Sequence, residues 1–261
     1  MTPLTDMEAV AEVARVAGNR ALELFSTELV VDAKADGSPV TIADRSAEQL
    51  ARRWIESRFP SDGIVGEEFG TSKPAAARRW IIDPIDGTKS FVRGVPLWGT
   101  LVAVAEGDTV IAGAAYFPAL REMIVAAAGE GCWHNNHRCS VSRVSEIAGA
   151  TVLITDNRFD GDNSRRECWA ELARASALSR TWGDCYGYFL VATGRAEVMV
   201  DPVVSQWDVA AFVPTIAEAG GVLTGWTAAS PFAGSAIATN AALAHEARRI
   251  LGVTNAMEEK R

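Results

Sequence analysis

From Thr5 onward, apolar residues fall three and four apart: Val10, Val13, Ala14, Ala17, Ala21 and Leu24. That spacing predicts an amphipathic helix, and Thr5-x-x-Glu8 supplies a capping box for its first turn. A short strand over residues 29–31 and a polar turn over residues 32–39 come next. A second helix then begins near Thr41 and Asp44 and turns Leu50, Trp54 and Ile55 inward. The rhythm shortens after that. Residues 63–70 (GIVGEEFG) read as an apolar strand running into two acids, and residues 80–82 as the end of a buried strand. Residues 97–105 and 110–117 predict a hairpin turning at Glu106-Gly107-Asp108. A further pair starts at Met123, turns at Asn135-Asn136 and ends near Val141. The pattern so far predicts a mostly antiparallel sheet packed on two long helices.

Past a join near residues 148–151 the pattern alternates. Strands are predicted at 152–154, 196–200 and 222–224, and helices at 164–175, 186–192, 207–219 and 241–251. Alternating strands and helices indicate an α/β layer. The chain therefore divides into an α+β half, residues 1–148, and an α/β half, residues 149–261. No flexible linker separates them, so the halves should pack together.

Composition narrows the partners. The 261 residues are 48% hydrophobic, enough for one large core or two fused ones. The net charge is −8 and the pI near 5.0, which excludes a basic nucleic-acid or anionic-membrane surface. No apolar run reaches membrane-spanning length and the first residues lack a signal-peptide pattern. The four cysteines show neither CxxC spacing nor small-protein disulfide density, so a cytoplasmic protein with reduced thiols is expected.

The chemistry concentrates in residues 80–100, WIIDPIDGTKSFVRGVPLWGT. Asp83 ends a strand, and Pro84, lacking an N–H, should end its ladder pairing. Asp86 follows three residues after Asp83, with Gly87 and Thr88 behind it. Two carboxylates this close repel unless a cation lies between them, and oxygen donors suit magnesium. Asp86, Gly87 and Thr88 also read as the opening of a short helix whose free N–H groups can hold a phosphate. A plain strand-and-turn reading fits the same residues. Three other acids carry similar pairs of readings. Asp44 after Thr41 is first a helix cap, or a carboxylate aimed at a site. Of Glu67 and Glu68, at most one can face a shared site from a strand. Asp208, in Gln206-Trp207-Asp208, offsets a helix dipole or completes a metal site.

Together these motifs resemble a known family. Glu67-Glu68 after a Gly, Asp83-Pro84-Ile85-Asp86-Gly87-Thr88 and Trp207-Asp208-Val209-Ala210-Ala211, in that order and with Thr41-x-x-Asp44 upstream, resemble the inositol monophosphatase superfamily. Ser90 departs from it where Asn is common. The resemblance covers nearly the whole chain. It implies layered α-β-α-β-α architecture and a homodimer. It also implies a magnesium-dependent, usually lithium-sensitive phosphomonoesterase holding two or three ions. It places Glu67, Asp83 and the Ile85 carbonyl on the first metal, and Asp83, Asp86 and Asp208 on the second. Gly87 and Thr88 match the amides that cradle phosphate, Asp44 and Thr88 the pair that orients the attacking water, and Glu68 a supporting acid. Glu67, Thr88 and Asp44 are thus the implied catalytic residues. No covalent phosphoenzyme is needed, in keeping with only three histidines, none near these motifs.

Residues 91–98 and 182–188 look most like the histidinol-phosphatase branch. Histidinol phosphate carries an ammonium and an imidazole, and carboxylates at Asp184, after Gly183, and at Asp201 would favour such a cation over a neutral polyol. Each also fits a simpler place, Asp184 in a turn and Asp201 at a strand end. Inositol-1-phosphate and nucleotide 3′-phosphatase activities are the alternatives within the same chemistry. The presence of Glu67, Asp83, Asp86 and Asp208 together argues against a non-catalytic relative. Arg180 precedes the Asp184 turn, within reach of substrate or of Asp184, and is unassigned. Cys132, His134, His137 and Cys139 flank the Asn135-Asn136 turn on one predicted sheet face. Zinc is geometrically open to them, but a structural hairpin with reduced thiols is the expected reading.

Overall fold

The first helix, α1 (Asp6–Leu24), starts as its capping box predicts. Glu8 N donates to Thr5 Oγ1 at 3.2 Å and Thr5 N to Glu8 Oε2 at 2.9 Å. Its stripe from Val10 to Ala21 is buried, while Leu24 at its end is half-buried. The computed structural model describes residues 4–27, 31–33, 39–227 and 230–253. Of the strand expected at 29–31, Leu29 and Val30 lie outside the described residues. Strand β1 (Val31–Ala33) pairs antiparallel with β2 (Pro39–Thr41); of the polar turn expected over residues 32–39, Asp32, Ala33 and Pro39 are in these strands and residues 34–38 lie outside the described residues. Helix α2 (Ile42–Arg58) buries Ala43, Asp44, Ala47, Glu48, Ala51, Trp54 and Ile55. Leu50 is only half-buried, because the inward stripe running back from Trp54 through Ala51 and Ala47 leaves position 50 at its edge.

Strands β3 (Gly63–Gly66), β4 (Gly70–Ser72) and β5 (Arg78–Asp86) precede the short helix α3 (Thr88–Phe91). Strands β6 (Gly99–Glu106), β7 (Thr109–Phe117), β8 (Glu122–Ala127), β9 (Gly131–His134) and β10 (His137–Arg138) follow. They form one eight-stranded sheet in the order β10-β9-β8-β7-β6-β5-β3-β4, parallel only between β3 and β5. Pro84 does not end the ladder as expected. Pairing with β6 lapses between Asp83 and Asp86 and resumes at Asp86 with Gly99. The buried Thr100 hydroxyl fills the gap, donating to Pro84 O at 2.7 Å. A missing N–H thus produces a bulge rather than a stop.

In the second half, β11 (Thr151–Ile154), β12 (Leu178–Arg180), β13 (Val198–Asp201), β14 (Gly221–Thr224) and β15 (Ala236–Asn240) form a five-stranded mixed sheet. Its helices are α4 (Asn163–Ala175), α5 (Asp184–Ala192), α6 (Gln206–Val209), α7 (Phe212–Glu218) and α8 (Ala244–Ile250). The periodicity missed β4, β12 and β15, all short, and β15 is buried on both faces, which removes the alternation that marks a strand. The helix expected over 207–219 is two helices. Pro214 has no N–H to give and crowds the carbonyl of Ala210, so the chain restarts at Phe212.

Period two in the strands sorts the layers. Trp80, Ile82, Val102 and Val104 pack on α1 and α2, whereas Leu101, Ala115 and Phe117 meet Tyr188, Phe189, Phe212 and Ile216 of α5 and α7. Those helices rest in turn on Leu153 and Met199 of the second sheet. Its other face, with Val152, Ile154, Val198 and Val200, is covered by Trp169 and Leu172 of α4 and Ala247 and Ile250 of α8. The result is the layered α-β-α-β-α sandwich. No helix among the described residues is long and apolar enough to cross a membrane.

Candidate active site

The bulge in β5 creates the acid cluster. Residues three apart on a regular strand point to opposite faces, so Asp83 and Asp86 would diverge. The extra residue between them cancels half a period, and both carboxylates emerge on the side facing α6. Oxygens of Asp83, Asp86 and Asp208 lie within 4.8 Å of one another. Asp83 is 2% exposed, and Ile85 N donates to its Oδ1 at 3.0 Å. Cys185 N, in the first turn of α5, donates to Asp86 Oδ2.

Asp208 stands at a helix start and within the acid cluster at once. It closes a capping box with Ser205, whose N donates to Asp208 Oδ2 at 2.7 Å, while the residue stays within the cluster. Asp44 repeats the arrangement at the start of α2. Its Oδ2 accepts from Thr41 N and Oγ1, both at 2.7 Å, and its Oδ1 lies 3.5 Å from Thr88 Oγ1. The Thr88 hydroxyl also reaches the Ile85 carbonyl at 2.9 Å, the shorter of the two contacts. Glu67 leaves β3 with its N–H on Ile82 O at 3.2 Å, and its carboxyl makes hydrogen-bonding contact with Asp83. Gly87 precedes α3 with φ of 85°, a left-handed conformation that favours glycine.

Like charges and burial act together here. Burial first, then Glu67, Asp86 and Asp208, hold the Asp83 carboxyl well above the usual range. Burial, Asp184 and Asp208 do the same to Asp86. Burial pushes Asp208 up to about 6, against the Ser205 N–H. Burial also raises Asp44, although its bonds to Thr41 oppose it. None of Asp83, Asp86 and Asp208 has an ion-paired Lys or Arg among the described residues.

Beside the cluster opens a small, half-open cleft lined by Asp86, Thr155, Asp184, Tyr188, Asp201, Val203, Val204 and Asp208. Thr155 Oγ1 accepts from Asp184 N at 2.7 Å and its hydroxyl bonds Asp201. Tyr188 Oη donates to Asp201 Oδ2 at 2.8 Å. Burial nevertheless keeps the Asp201 carboxyl well above its usual range. Asp184 adopts a left-handed φ of 49° at the start of α5. Gly183 lets that turn sit against β11, since a Cβ there would fall 2.2 Å from Thr155 Cα. Gly183, Asp184 and Asp201 are therefore brought together with Asp86 and Asp208.

Thr155, Tyr188 and Glu48 escaped the sequence reading. Thr155 directly follows a strand and Glu48 lies four residues after Asp44, and both positions were available signals. Tyr188 lay within the stretch 182–188 and was given no role of its own. Arg180 is exposed outside the cleft, with its guanidinium over Trp182 at 5.9 Å from the ring centre. In the β9–β10 hairpin, Cys132 and Cys139 are free thiols with sulfurs 3.4 Å apart. His134 packs edge-on to Phe189 and His137 is exposed, so the four side chains do not gather to a metal-sized group.

The cluster predicts a pH signature. Carboxyls raised in the folded state bind protons that the unfolded chain has released, so their contribution to stability falls as pH rises from their unfolded values through about 6 for Asp208. Magnesium, if these acids hold it as the resemblance implies, would need the same groups ionised. Its stabilising effect should therefore be small at about pH 5 and large at about pH 8. Melting curves with and without magnesium at both values check this, and an equal shift at both would contradict it.

The family model of the inositol monophosphatase family matches residues 4–258. The histidinol-phosphatase of Chlorobaculum parvum is 44% identical over 222 residues, 85% of each chain. That of Streptomyces coelicolor is 35% identical over 97% of each. Among solved structures, an inositol monophosphatase from Zymomonas mobilis superposes with a TM-score of 0.84 at 30% identity, over 95% of this chain and 97% of that one. The extragenic suppressor protein suhB from Bartonella henselae does so with 0.88 at 25% identity, over 94% and 97%.

Proposed function

The chain belongs to the inositol monophosphatase family, and from that premise we propose a magnesium-dependent phosphatase that hydrolyses L-histidinol phosphate to L-histidinol and phosphate in histidine biosynthesis. Membership makes it a phosphoric monoester hydrolase. Asp83, Asp86 and Asp208 fit the metal: they are hard oxygen donors, drawn together with no ion-paired Lys or Arg among the described residues, and costly to bury in that state unless a cation is added. Glu67, Asp83 and the Ile85 carbonyl would hold one ion, and Asp83, Asp86 and Asp208 another. When bound, magnesium offsets charge on phosphoryl oxygens and makes water a better nucleophile at neutral pH.

The protein's own groups do the rest. Gly87 and Thr88 offer amides to the phosphoryl oxygens. Asp44 and the Thr88 hydroxyl would orient the water opposite the ester oxygen, and Asp44 would accept its proton; their 3.5 Å contact supports that pairing. Water adds to phosphorus as its proton passes to Asp44, the bond to the ester oxygen breaks, and the leaving alkoxide takes a proton from solvent water to become L-histidinol, while Asp44 returns its proton to solvent. A homodimer, as the resemblance implies, and a cytoplasmic location, as the cysteine pattern leads one to expect, complete the reading.

The observation that carries the choice of substrate is the cleft next to the cluster, where Asp184 and Asp201 add two acids, both raised by burial and so ready to ionise against a bound cation, beyond those a metal needs. A cationic alcohol suits that lining better than a neutral polyol does. The identity to histidinol-phosphatases supports the same choice. Phosphate release from histidinol phosphate, inositol 1-phosphate and adenosine 3′,5′-bisphosphate tests it. Histidinol phosphate should turn over fastest, with magnesium and not with chelator. Faster release from inositol 1-phosphate would move the assignment to that substrate, and no release from any of them would end the phosphatase reading.

A further inference from the structure

Four of the five groups assigned to the metals sit on regular elements, Asp83, Ile85 and Asp86 on β5 and Asp208 on α6. Glu67 alone lies in a turn, between β3 and β4. A ligand must be held to within about half an ångström to be useful, which a surface turn does not achieve by itself.

Something holds this turn. Glu48 lies one helical turn after Asp44 on the inward face of α2 and is 0% exposed. Its Oε2 accepts from Glu68 N at 2.7 Å and its Oε1 from Phe69 N at 3.3 Å. Arg52, one turn further on, pairs with Glu48 Oε1 at 2.7 Å and donates to Gly70 O. The Ile82 carbonyl holds Glu67 N. Each residue from 67 to 70 thus has a backbone group fixed, three of them by two side chains of α2. Gly66 is shaped to the same clasp, because a Cβ there would lie 2.1 Å from Glu48 Oε1. A buried ion pair is an expensive way to dock a helix, and an apolar pair of similar size generally packs as well or better. What the carboxylate provides and an apolar side chain cannot is a pair of acceptors facing consecutive N–H groups.

We propose that Glu48, oriented by Arg52, is a positioning residue that fixes the turn at residues 66–70 so that the Glu67 carboxylate is presented to magnesium. The inference rests on the assignment of Glu67 as a ligand. Its test is titration of the full-length, substrate-free protein with Mn²⁺, followed by electron paramagnetic resonance, alongside melting temperature. Glu48→Gln has the same length but puts an amide NH₂ against a backbone N–H or Arg52. It should weaken Mn²⁺ binding roughly tenfold or more, as losing a group that orients a ligand commonly does. Arg52→Met keeps the carboxylate, frees it to swing, and should weaken binding in the same direction, which serves if Glu48→Gln does not fold. Glu67→Gln is the reference. If it weakens Mn²⁺ binding while folded Glu48→Gln and Arg52→Met bind as the parent does, the clasp is only structural and the proposal is overturned. If Glu67→Gln itself binds Mn²⁺ normally, the ligand assignment fails first and the proposal falls with it.

Discussion

Asp83→Asn is expected to lower kcat/KM roughly thousandfold or more, since several kcal/mol of charge stabilisation would be lost at about 1.4 kcal/mol per factor of ten. Asp83 is assigned to both metals, so no other single acid has as much to lose. The substitution keeps the shape and an acceptor for Ile85 N, now 3.0 Å from Asp83 Oδ1. The same variant should melt higher than the parent in chelator. It removes a buried charge beside Glu67, Asp86 and Asp208, whose repulsion the metal-free protein otherwise bears or relieves by taking up protons. Opposite changes in activity and metal-free stability separate this from misfolding, which lowers both. Kinetics in magnesium and melting in chelator measure the two. Near-parent turnover by Asp83→Asn would remove Asp83 from the metal site.

Asp184→Asn is expected to act on one substrate class. Losing a charge-assisted hydrogen bond to the ammonium or imidazolium of histidinol phosphate costs about 1.5–3 kcal/mol, roughly a ten- to hundredfold drop in kcat/KM. A neutral phosphate ester never uses that carboxylate and should lose far less. Two features sharpen this expectation. Asp184 holds a left-handed backbone conformation that Asn tolerates well, so the variant should fold. Its N–H bond to Thr155 comes from the backbone and survives the change. Both substrates on both proteins settle the matter. Equal losses would mean that Asp184 supports the cluster, through its repulsion of Asp86, and selectivity would then be sought at Asp201.

Several elements were legible without coordinates because their causes are local. A capping box needs four consecutive residues, so Thr5 and Thr41 announced α1 and α2. Helical and strand periods are likewise local, which is why both long helices, the β6–β7 hairpin and the Asn135-Asn136 turn were readable; that turn joins β9 to β10, and the earlier turn between β8 and β9, at residues 128–130, was missed. The acids were legible as types at a spacing, and a resemblance spanning the chain ordered them. The physical arrangement was another matter. The strand Leu178–Arg180 and the strand Ala236–Asn240 exist because partners are already there to pair with, and no local pattern reports a partner. The break before Phe212 could be read from Pro214, yet the apolar run hid it.

The site shows the same division. Residue chemistry marked Asp83, Asp86 and Asp208 as candidates, but period two alone would have sent the first two to opposite faces. Only the bulge, stabilised from the neighbouring strand by Thr100, brings them together. Asp44 and Asp208 each cap a helix through one carboxylate oxygen, and the same residues still reach Thr88 and the acid cluster, because a carboxylate has two oxygens. Glu48, Thr155 and Tyr188 acquire meaning through groups far from them in the chain, at Glu68, Asp184 and Asp201. Short-range sequence chose the elements and the donor chemistry. Long-range packing chose which donors converge, because convergence depends on distances between segments that a local pattern does not encode.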